Sequence, residues 1–347
     1  LVTDGAALQV QDDAEQSTTL TVASQKHIGV NFTTAELTLQ LDDFAERVLK
    51  PRISQLASSI DADVANAYKA IFNTVGTPGT SPATALVLLQ AQQKLNESAA
   101  GMAPRYATVN PAANAGLVNG LSGFFNPTDT ISKQFKNGMM GTGVLGFDEI
   151  NMSQSIKVHT TGSRAGTILV NGAVSTQGQS TISIDGLTGA TDTVTVGDVF
   201  TIANVFAVNP QTRESTGSLQ QFVVTAAQTG VSNALANMAI SPPIYTSTSA
   251  LATVDSFPAD NAAVTFVGTA STAYPQNMIY HKDAITFATA DLVLPTGVDM
   301  AARAVHNGIS LRIIRDYDIN NDRMPCRIDV LYGFSTIRPQ MACRLWG

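Results

Sequence analysis

Charged side chains are scarce in this 347-residue chain: Asp, Glu, Lys and Arg make up 14% of it, against about 25% in a typical soluble domain. A globular protein with so few charges must cover much of its surface with neutral groups, which favours a chain whose surfaces are buried by neighbouring molecules. The formal net charge is −7 and the pI is about 5.0. We therefore expect no strongly basic patch of the kind found on nucleic-acid-binding domains.

Cysteine is nearly absent, and long apolar runs are missing. Cys326 and Cys343 are the only cysteines, which excludes a disulfide framework and favours reduced thiols in a cytoplasmic setting. No apolar run approaches the roughly 18 residues needed to cross a bilayer, so we expect no membrane partner. The opening LVTDGAALQV lacks the basic and apolar regions of a signal peptide. It also lacks an initiator Met, so we expect that a segment before Leu1 has been cleaved or left out.

Helical periodicity is concentrated in the first third of the chain, which is long enough for two or three domains. The strongest pattern predicts an amphipathic helix from about 51 to 75, with Pro51 in its first turn and Gly76 at its end. Ser81 then predicts the N-cap of a second helix, with Pro82 at its first position. The apolar residues of the first helix recur at steps of three and four: Ile53, Leu56, Ile60, Val64, Ala67 and Ile71.

The composition changes sharply at about residue 160. Only eight charged residues lie in the 116 residues of the segment 160–275, whereas the other 231 residues hold 39 of the 47. Short runs of Thr, Val and Ser, separated by glycine, predict several short strands and hence a small β-barrel or sandwich. Because mixed helix and strand patterns flank this segment, we predict an all-β domain inserted into an α+β host.

The histidines and cysteines form no recognisable catalytic or metal-binding pattern. No histidine pair has the spacing of metal ligands and none lies in a nucleophile motif, so each is interpreted as a surface or packed residue. No base is nominated for Cys326, which is interpreted as a small buried hydrophobe. We therefore expect no enzyme activity, no cofactor, and no catalytic, cofactor-binding or metal-binding residue. The histidines are His27, His159, His281 and His306.

A glycine-rich stretch, GTGVLGF, formally fits the dinucleotide-binding pattern GxGxxG through Gly141, Gly143 and Gly146. That fingerprint requires a strand before the glycines and a helix that opens on them. Here a helix-like stretch precedes the glycines and a strand-like stretch follows, so the order is reversed. The sequence therefore argues against a dinucleotide site.

The stretch RDYDINNDR places Asp316, Asp318, Asn320 and Asp322 at alternate positions, as in the opening of many calcium loops. An EF-hand loop that started at Asp316 would need Gly at its sixth position and Glu at its twelfth, where this chain has Asn and Arg. The turn-forming residues instead predict a bend between two strands. We expect Asp316 and Asp318 on the polar face of the first strand and residues 320–322 in the bend.

The carboxyl-terminal stretch IRDYDINNDRMPCRIDVLYGFSTIRPQMACRL resembles the ending of tailed-phage major capsid proteins in the family of the phage P22 coat protein. Three further blocks resemble that family in the same order along the chain. They are DFAERVLKPRISQLASSIDADVANAY, VGDVFTIANVFAVN with Gly197 and Asp198, and NMIYHKDAITFATADLVLP. In the carboxyl-terminal stretch the resemblance is carried by Cys326, Arg327, Ile328, Tyr332, Gly333, Arg338 and Pro339.

The resemblance implies an α+β fold of the Hong-Kong-ninety-seven capsid type with an inserted all-β barrel. Residues 1–40 would form an extended loop over a neighbouring subunit, without the amino-terminal arm that precedes it in the family. Residues 41–100 would form a peripheral domain with a spine helix at about 51–75. Residues 101–158 and 276–347 would form the axial domain and its return strands, and 160–275 the inserted domain.

The implied function is that of a major capsid (coat) protein that assembles into the icosahedral head of a tailed double-stranded DNA phage. Its partners would be further copies of itself in pentamers and hexamers, scaffolding and portal proteins, and packaged DNA held without sequence specificity. The protein would assemble in the bacterial cytoplasm and reside in the virion. Two alternatives stay open: another virion β-protein, such as a decoration or tail protein, and a secreted hydrolase with a β accessory domain.

Some proteins of this fold are crosslinked through a Lys–Asn isopeptide bond, and Lys26 is the only lysine in the predicted loop. Nothing else in the sequence supplies such a site, so we expect no crosslink.

Overall fold

The computed structural model describes residues 10, 17–33, 49–120, 141–189 and 191–347. Their helices are α1 (Lys50–Val64), α2 (Ala85–Glu97) and α3 (Pro111–Gly120), with short 3-10 turns at Ala65–Ala70 and Pro339–Met341. None of these helices is long and apolar enough to cross a membrane. The strands are β1 (Ser24–Thr33), β2 (Thr74–Val75), β3 (Arg105–Val109), β4 (Gly141–Val144), β5 (Phe147–Met152), β6 (Val158–Thr160), β7 (Gly166–Val170), β8 (Gln179–Leu187), β9 (Thr193–Val194), β10 (Val199–Val208), β11 (Ser215–Val224), β12 (Gln228–Thr229), β13 (Leu235–Ile244), β14 (Val264–Phe266), β15 (Ala273–Pro275), β16 (Asn277–His281), β17 (Ile285–Ala290), β18 (Met300–His306), β19 (Ile309–Arg315), β20 (Arg323–Thr336) and β21 (Ala342–Leu345).

One compact unit comprises Thr18–Asn66 and Ile285–Ile337. Its five-stranded antiparallel sheet has the order β1-β20-β19-β18, and β17 also pairs with β20. Helix α1 lies on one face of this sheet, because its buried side chains repeat every four residues and so point the same way. Leu56 and Ile60 of α1 pack there against Ile328, Val330 and Tyr332 of β20.

Helix α1 is shorter than predicted. It begins at Lys50, as the proline signal indicates, but it ends at Val64 instead of continuing to about 75. The later apolar residues of the pattern, Ala67 and Ile71, lie in the other compact unit. There they are buried, with 4% and 0% of their surface exposed. The apolar spacing is thus continuous while the helix is not, since the chain passes from one core into a second.

The other unit, which includes Ala67–Ala284 and Arg338–Gly347, contains a six-stranded mixed sheet in the order β2-β21-β16-β3-β5-β4. Helices α2 and α3 pack against this sheet, and the three share one apolar core. Strand β3 ends at Val109, and the glycine-containing helix α3 begins at Pro111. The core includes Leu88, Ala91 and Leu95 of α2, Ala113 and Leu117 of α3, and Ala107, Ile279 and Cys343 of the sheet.

Helix α2 begins at Ala85, four residues after the predicted N-cap. The extended backbone of Thr84, with φ −129° and ψ 151°, is its true N-cap. The preceding Pro82–Ala83 backbone lies against α3, where a Cβ at Gly116 would come within 2.8 Å of the Pro82 carbonyl oxygen. The glycines of α3 therefore permit this close approach of the segment that precedes α2.

The predicted insertion is a β-barrel within this unit. Strands β6 and β15, where the chain enters and leaves the segment, pair with each other. Between them, six strands follow the order β14-β10-β11-β13-β8-β7, and a bridge between Leu169 and Ala263 joins the two ends of the sheet. The interior is filled by aliphatic side chains around stacked Phe200 and Phe222, whose ring centroids are 5.6 Å apart.

The two compact units divide the chain differently from the predicted domains. Residues 285–337 share a sheet with β1 and do not join the sheet that holds β3 and β16. Residues 67–100 lie in the unit of the six-stranded sheet and not with α1. Strand order depends on long-range pairing, which local patterns do not encode. Most of the predicted 1–40 loop and the first residues of the predicted 41–100 domain lie outside the described residues.

Candidate functional site: a buried ionic cluster and the predicted residues

The acidic stretch 316–322 forms the turn between β19 and β20, as predicted. Asp318 accepts hydrogen bonds from the backbone N–H of Asn320 at 3.0 Å and from the side-chain amide of Asn321 at 2.7 Å. These hydrogen bonds, that of Asn321 first, lower the pKa of Asp318. The acceptor capacity of this carboxylate is therefore used within the turn.

The predicted strand positions of Asp316 and Asp318 are wrong. Strand β19 ends at Arg315 and β20 begins at Arg323, so both acids lie between the strands, where Asp318 forms an isolated antiparallel bridge with Arg323. The sheet register explains this, because continuous β19–β20 pairing stops at Arg315, opposite Cys326. Across the described residues, no group of three or more His, Cys, Asp or Glu side chains could hold a metal ion.

The glycines of GTGVLGF lie in the β4–β5 hairpin, with Gly141 and Gly143 in β4 and Gly146 in the turn; Gly143 and Gly146 have φ values of +69° and +76°. Both cysteines are buried and free. Burial raises the pKa of the Cys326 thiol, and it raises that of Cys343 to about 12. Both thiols are thus protonated at neutral pH, which is a poor state for a nucleophile.

Lys26 is part of an ion pair between β1 and α1. Its ammonium lies 2.5 Å from the Asp63 carboxylate and 2.8 Å from the Ser59 hydroxyl. The hydroxyl of Tyr332 donates to the same carboxylate at 2.5 Å. Burial, and then this hydrogen bond, raise the pKa of Tyr332. Lys26 therefore fastens β1 to the helix within one compact unit.

Two of the four histidines are exposed and two are buried. His27 and His306 lie on the surface, and His281 is buried with Nδ1 3.5 Å from Asp283. His159, on entry strand β6, is the histidine with the most extensive polar surroundings. Its Nδ1 lies 3.3 Å from the hydroxyl of Tyr68, and its Nε2 lies 3.0 Å from Asp198.

Asp198 is the centre of a buried ionic cluster at the base of the barrel, here called the root cluster: Tyr68, His159, Arg164, Asp198 and Arg344. The Asp198 side chain is fully buried. Its second oxygen accepts from Arg164 Nη1 at 2.9 Å and from the backbone N–H groups of Thr195 and Gly162 at 2.9 and 3.1 Å. Burial raises the pKa of this carboxyl, but the bonds from His159, Arg164 and the two backbone groups outweigh burial and leave the pKa lowered.

Arg344 connects the root cluster to the last strand of the six-stranded sheet. Its Nη1 donates to the carbonyl of Gly197 at 2.7 Å, and its guanidinium lies 5.3 Å from the centre of the Tyr68 ring. Burial lowers the pKa of Arg344 to about 10, so the group remains charged at neutral pH. Gly197 has a φ of +103°, and a Cβ there would lie 3.3 Å from both Tyr68 and His159.

The root cluster thus joins three parts of the chain that are far apart in sequence: the turn after α1, the barrel and the last strand. Of its two guanidinium groups, Arg164 pairs with the Asp198 carboxylate and Arg344 donates to the carbonyl of Gly197. Such an arrangement fixes orientation through buried, directional bonds. Because Arg344 and Asp198 are enclosed by neighbouring elements, the cluster is suited to holding the inserted barrel and not to binding substrate.

Sequence reasoning missed the root cluster, although a signal was present. Arg164 and Asp198 are two of only eight charges in the segment 160–275. Asp198 also stands immediately before an apolar strand, where an ionised side chain must be paired if it is buried.

A second buried carboxylate, Asp329 of β20, lies on the sheet of the other unit. It is fully buried between Arg312 at 2.7 Å and Arg327 at 2.5 Å. Arg312 also donates to the carbonyl of Val293 at 2.5 Å. This second cluster anchors the loop between β17 and β18 against the sheet.

The chain matches one family of known proteins over nearly its whole length. A family model described as "P22 coat protein - gene protein 5" matches residues 10–347. No curated protein sequence matches the chain.

Several solved structures are similar to the chain. A structure titled "Mycobacterium phage Che8" has 10% sequence identity and a TM-score of 0.44. The alignment covers 94% of this chain and 71% of that chain. The capsid structure of the cyanophage P-SCSP1u has 11% identity, coverages of 98% and 80%, and a TM-score of 0.46. The CUS-3 coat protein I-domain has 26% identity over 30% of this chain and 98% of its own, with a TM-score of 0.23.

Proposed function

The chain belongs to the P22 coat protein family and is the major capsid protein of a tailed phage, and from this premise we propose how it builds the head. Many copies associate through repeated heterologous contacts around fivefold and sixfold positions and close an icosahedral shell around double-stranded DNA. The observation that carries the proposal is the family match over residues 10–347. The low charge of 14% is consistent with it, because the edges of a shell subunit are covered by neighbours.

The proposed fold is of the Hong-Kong-ninety-seven type, with domain limits that follow the compact units. Thr18–Asn66 and Ile285–Ile337 supply the peripheral domain, with α1 as the described part of the spine helix. The six-stranded sheet with α2 and α3 supplies the axial domain. The barrel within 160–275 supplies the inserted domain, with the root cluster as its attachment. Strand β1 pairs with β20 of its own chain, so in this proposal it belongs to the peripheral domain and not to the extended loop expected over residues 1–40.

The proposed partners beyond further copies are scaffolding protein, portal protein and packaged DNA. Assembly takes place in the bacterial cytoplasm, and the mature protein is a component of the virion. The net charge of −7 suits a container that does not hold its DNA tightly, since strong phosphate binding would oppose packaging and release. The proposal assigns no catalytic step to the chain. The family match disfavours a decoration or tail protein and a secreted hydrolase.

Maturation is proposed to proceed from a compact precursor shell to an expanded one. DNA packaging drives this change through rigid-body shifts of subunits and rearrangement of the extended loop. The buried ion pairs of the root cluster keep the barrel fixed to its own subunit during these shifts.

Sedimentation velocity and negative-stain electron microscopy of the purified chain test the proposal. The expected result is closed particles, or capsomers that convert to particles when scaffolding protein is added. A protein that remains monomeric under all solution conditions, with and without scaffolding protein, would contradict it.

A further inference from the structure

Strand β18 lies at the end of the five-stranded sheet and has one neighbour, β19. Within the described residues, no strand pairs with its outer edge. Six of its seven residues are exposed and the seventh is half-buried. A free edge of this length presents a row of unpaired backbone N–H and C=O groups.

The turn that joins β18 to β19 determines which backbone groups face outward. It consists of Asn307 and Gly308, with φ values of +49° and +79°, as in a two-residue type I′ hairpin. In such a hairpin the flanking residues, His306 and Ile309, form a hydrogen-bonded pair. Bonding then alternates along the antiparallel ladder. The N–H and C=O groups of Ala301, Arg303 and Val305 therefore point away from β19.

This edge lacks the features by which soluble proteins prevent unwanted pairing. Its sequence, MAARAVH, contains no proline and no lysine, and its register with β19 runs from Met300 to His306 without a bulge. Its only formal charge, Arg303, is engaged by the loop that follows β17, with Nη2 3.4 Å from Asp291 and Nη1 3.4 Å from the Leu292 carbonyl. Because Arg303 is engaged by its own chain, its charge does not prevent another strand from pairing with this edge.

Exposed apolar side chains lie beside the same edge. Val293, Leu294 and Val305 are 80%, 39% and 63% exposed. The loop that carries the first two is held by the bond from Arg312 to the Val293 carbonyl and by an ion pair of 2.7 Å between Arg315 and Asp299. The surface is thus preformed, and it combines free backbone groups with apolar contacts, as strand-binding edges do.

We propose that the outer edge of β18 binds an extended segment of a second copy of this chain by strand addition. A second copy is the occupant because a coat protein must present contact surfaces to identical neighbours, and a strand edge paired with a different surface gives the heterologous contact that a shell requires. The inference rests on the proposed self-assembly and identifies one of its interfaces.

Hydrogen exchange of the wild-type protein tests the proposal directly. In unassembled subunits the amides of Ala301, Arg303 and Val305 should exchange rapidly. In shells assembled from the chain alone, they should exchange at least about tenfold more slowly, since they then carry ladder hydrogen bonds. The amides of Ala302 and Ala304, which bond to β19, serve as the internal control and should be protected in both states.

Equal exchange of the three outward amides in subunits and shells would overturn the inference and leave self-assembly intact. Protection that appears in complete virions but not in shells of this chain alone would also overturn it, because another virion protein would then occupy the edge. A failure to form shells both with and without scaffolding protein would instead count against the proposed function.

A matched pair of variants at Val305 provides a second readout. Val305→Pro removes one outward N–H and leaves the β18–β19 bonds in place, whereas Val305→Ala keeps that N–H. The proline variant should reduce the yield of assembled shells at least about tenfold, and the alanine variant should lower it much less. Equal shell yields from the two variants would overturn the inference. If the proline variant fails to fold, as judged by its thermal unfolding, the wild-type exchange experiment decides.

Discussion

Replacing Asp198 by Asn should strongly destabilise the attachment of the barrel. The substitution keeps the shape of the side chain but removes the negative charge that faces Arg164 at 2.9 Å in a fully buried position. The guanidinium then remains buried without a counter-charge. Removing one partner of a buried ion pair costs about 3–5 kcal/mol. We expect the free energy of unfolding of the barrel-containing unit to fall by about that amount.

The single tryptophan provides the assay. Trp346 is 4% exposed, and its indole N–H donates to the carbonyl of Pro275, on exit strand β15, at 2.9 Å. Its fluorescence in a urea titration therefore reports unfolding near the root cluster. Asp260→Asn is the matched control, because the exposed Asp260 accepts one backbone hydrogen bond from Gly172. Its expected cost is about 0.5–1.5 kcal/mol. A cost for Asp198→Asn no larger than that of the control would refute the reasoning.

The pH dependence gives a further check with a defined sign. The folded-state pKa of Asp198 is lowered. Its contribution to stability is therefore fully present above the unfolded carboxyl pKa of about 3.9 and is lost as the pH falls through the folded value. Asp198→Asn should flatten the fall in stability below about pH 4, whereas Asp260→Asn should retain more of it.

Three further predictions concern other described residues. Tyr332→Phe should lower the free energy of unfolding by about 1–2 kcal/mol in denaturant titration, because the Asp63 carboxylate loses a hydrogen bond and is partly exposed; no change would argue against that bond. Cys326 and Cys343 should resist a thiol reagent at pH 8 in the folded protein and react fully in denaturant, since both are buried with raised pKa values; rapid reaction of the folded protein would contradict their burial. Millimolar calcium should leave the thermal midpoint of wild type and of Asp318→Asn unchanged, because Asp318 is engaged within its turn; a rise confined to the wild type would indicate a calcium site.

Local elements were predictable where neighbouring residues determine them. The bend between β19 and β20 and the start of α1 beside Pro51 are present because turn-forming residues and proline act over a few neighbouring residues. The inserted barrel was predictable from the loss of charge over 160–275. The end of α1 was not, because the apolar spacing from Leu56 to Ile71 continues although these residues belong to two cores.

The root cluster was not predictable from spacing. His159, Asp198 and Arg344 are separated by 39 and more residues and meet only when the barrel closes and the last strand joins its sheet. Each alone has an ordinary interpretation as a surface or packed residue. Gly197 and Asp198 were noticed through the family resemblance, and the structure supplies their physical role: a left-handed backbone position and a buried charge side by side.

The proposed function requires that many copies of this chain form a closed icosahedral shell. Electron cryomicroscopy of particles formed by the purified protein, with scaffolding protein where required, tests this most directly. The expected reconstruction is a shell with fivefold and sixfold clusters whose wall density is explained by copies of this chain. Particles whose wall is built from another protein, with this chain bound only to the outer surface, would contradict it.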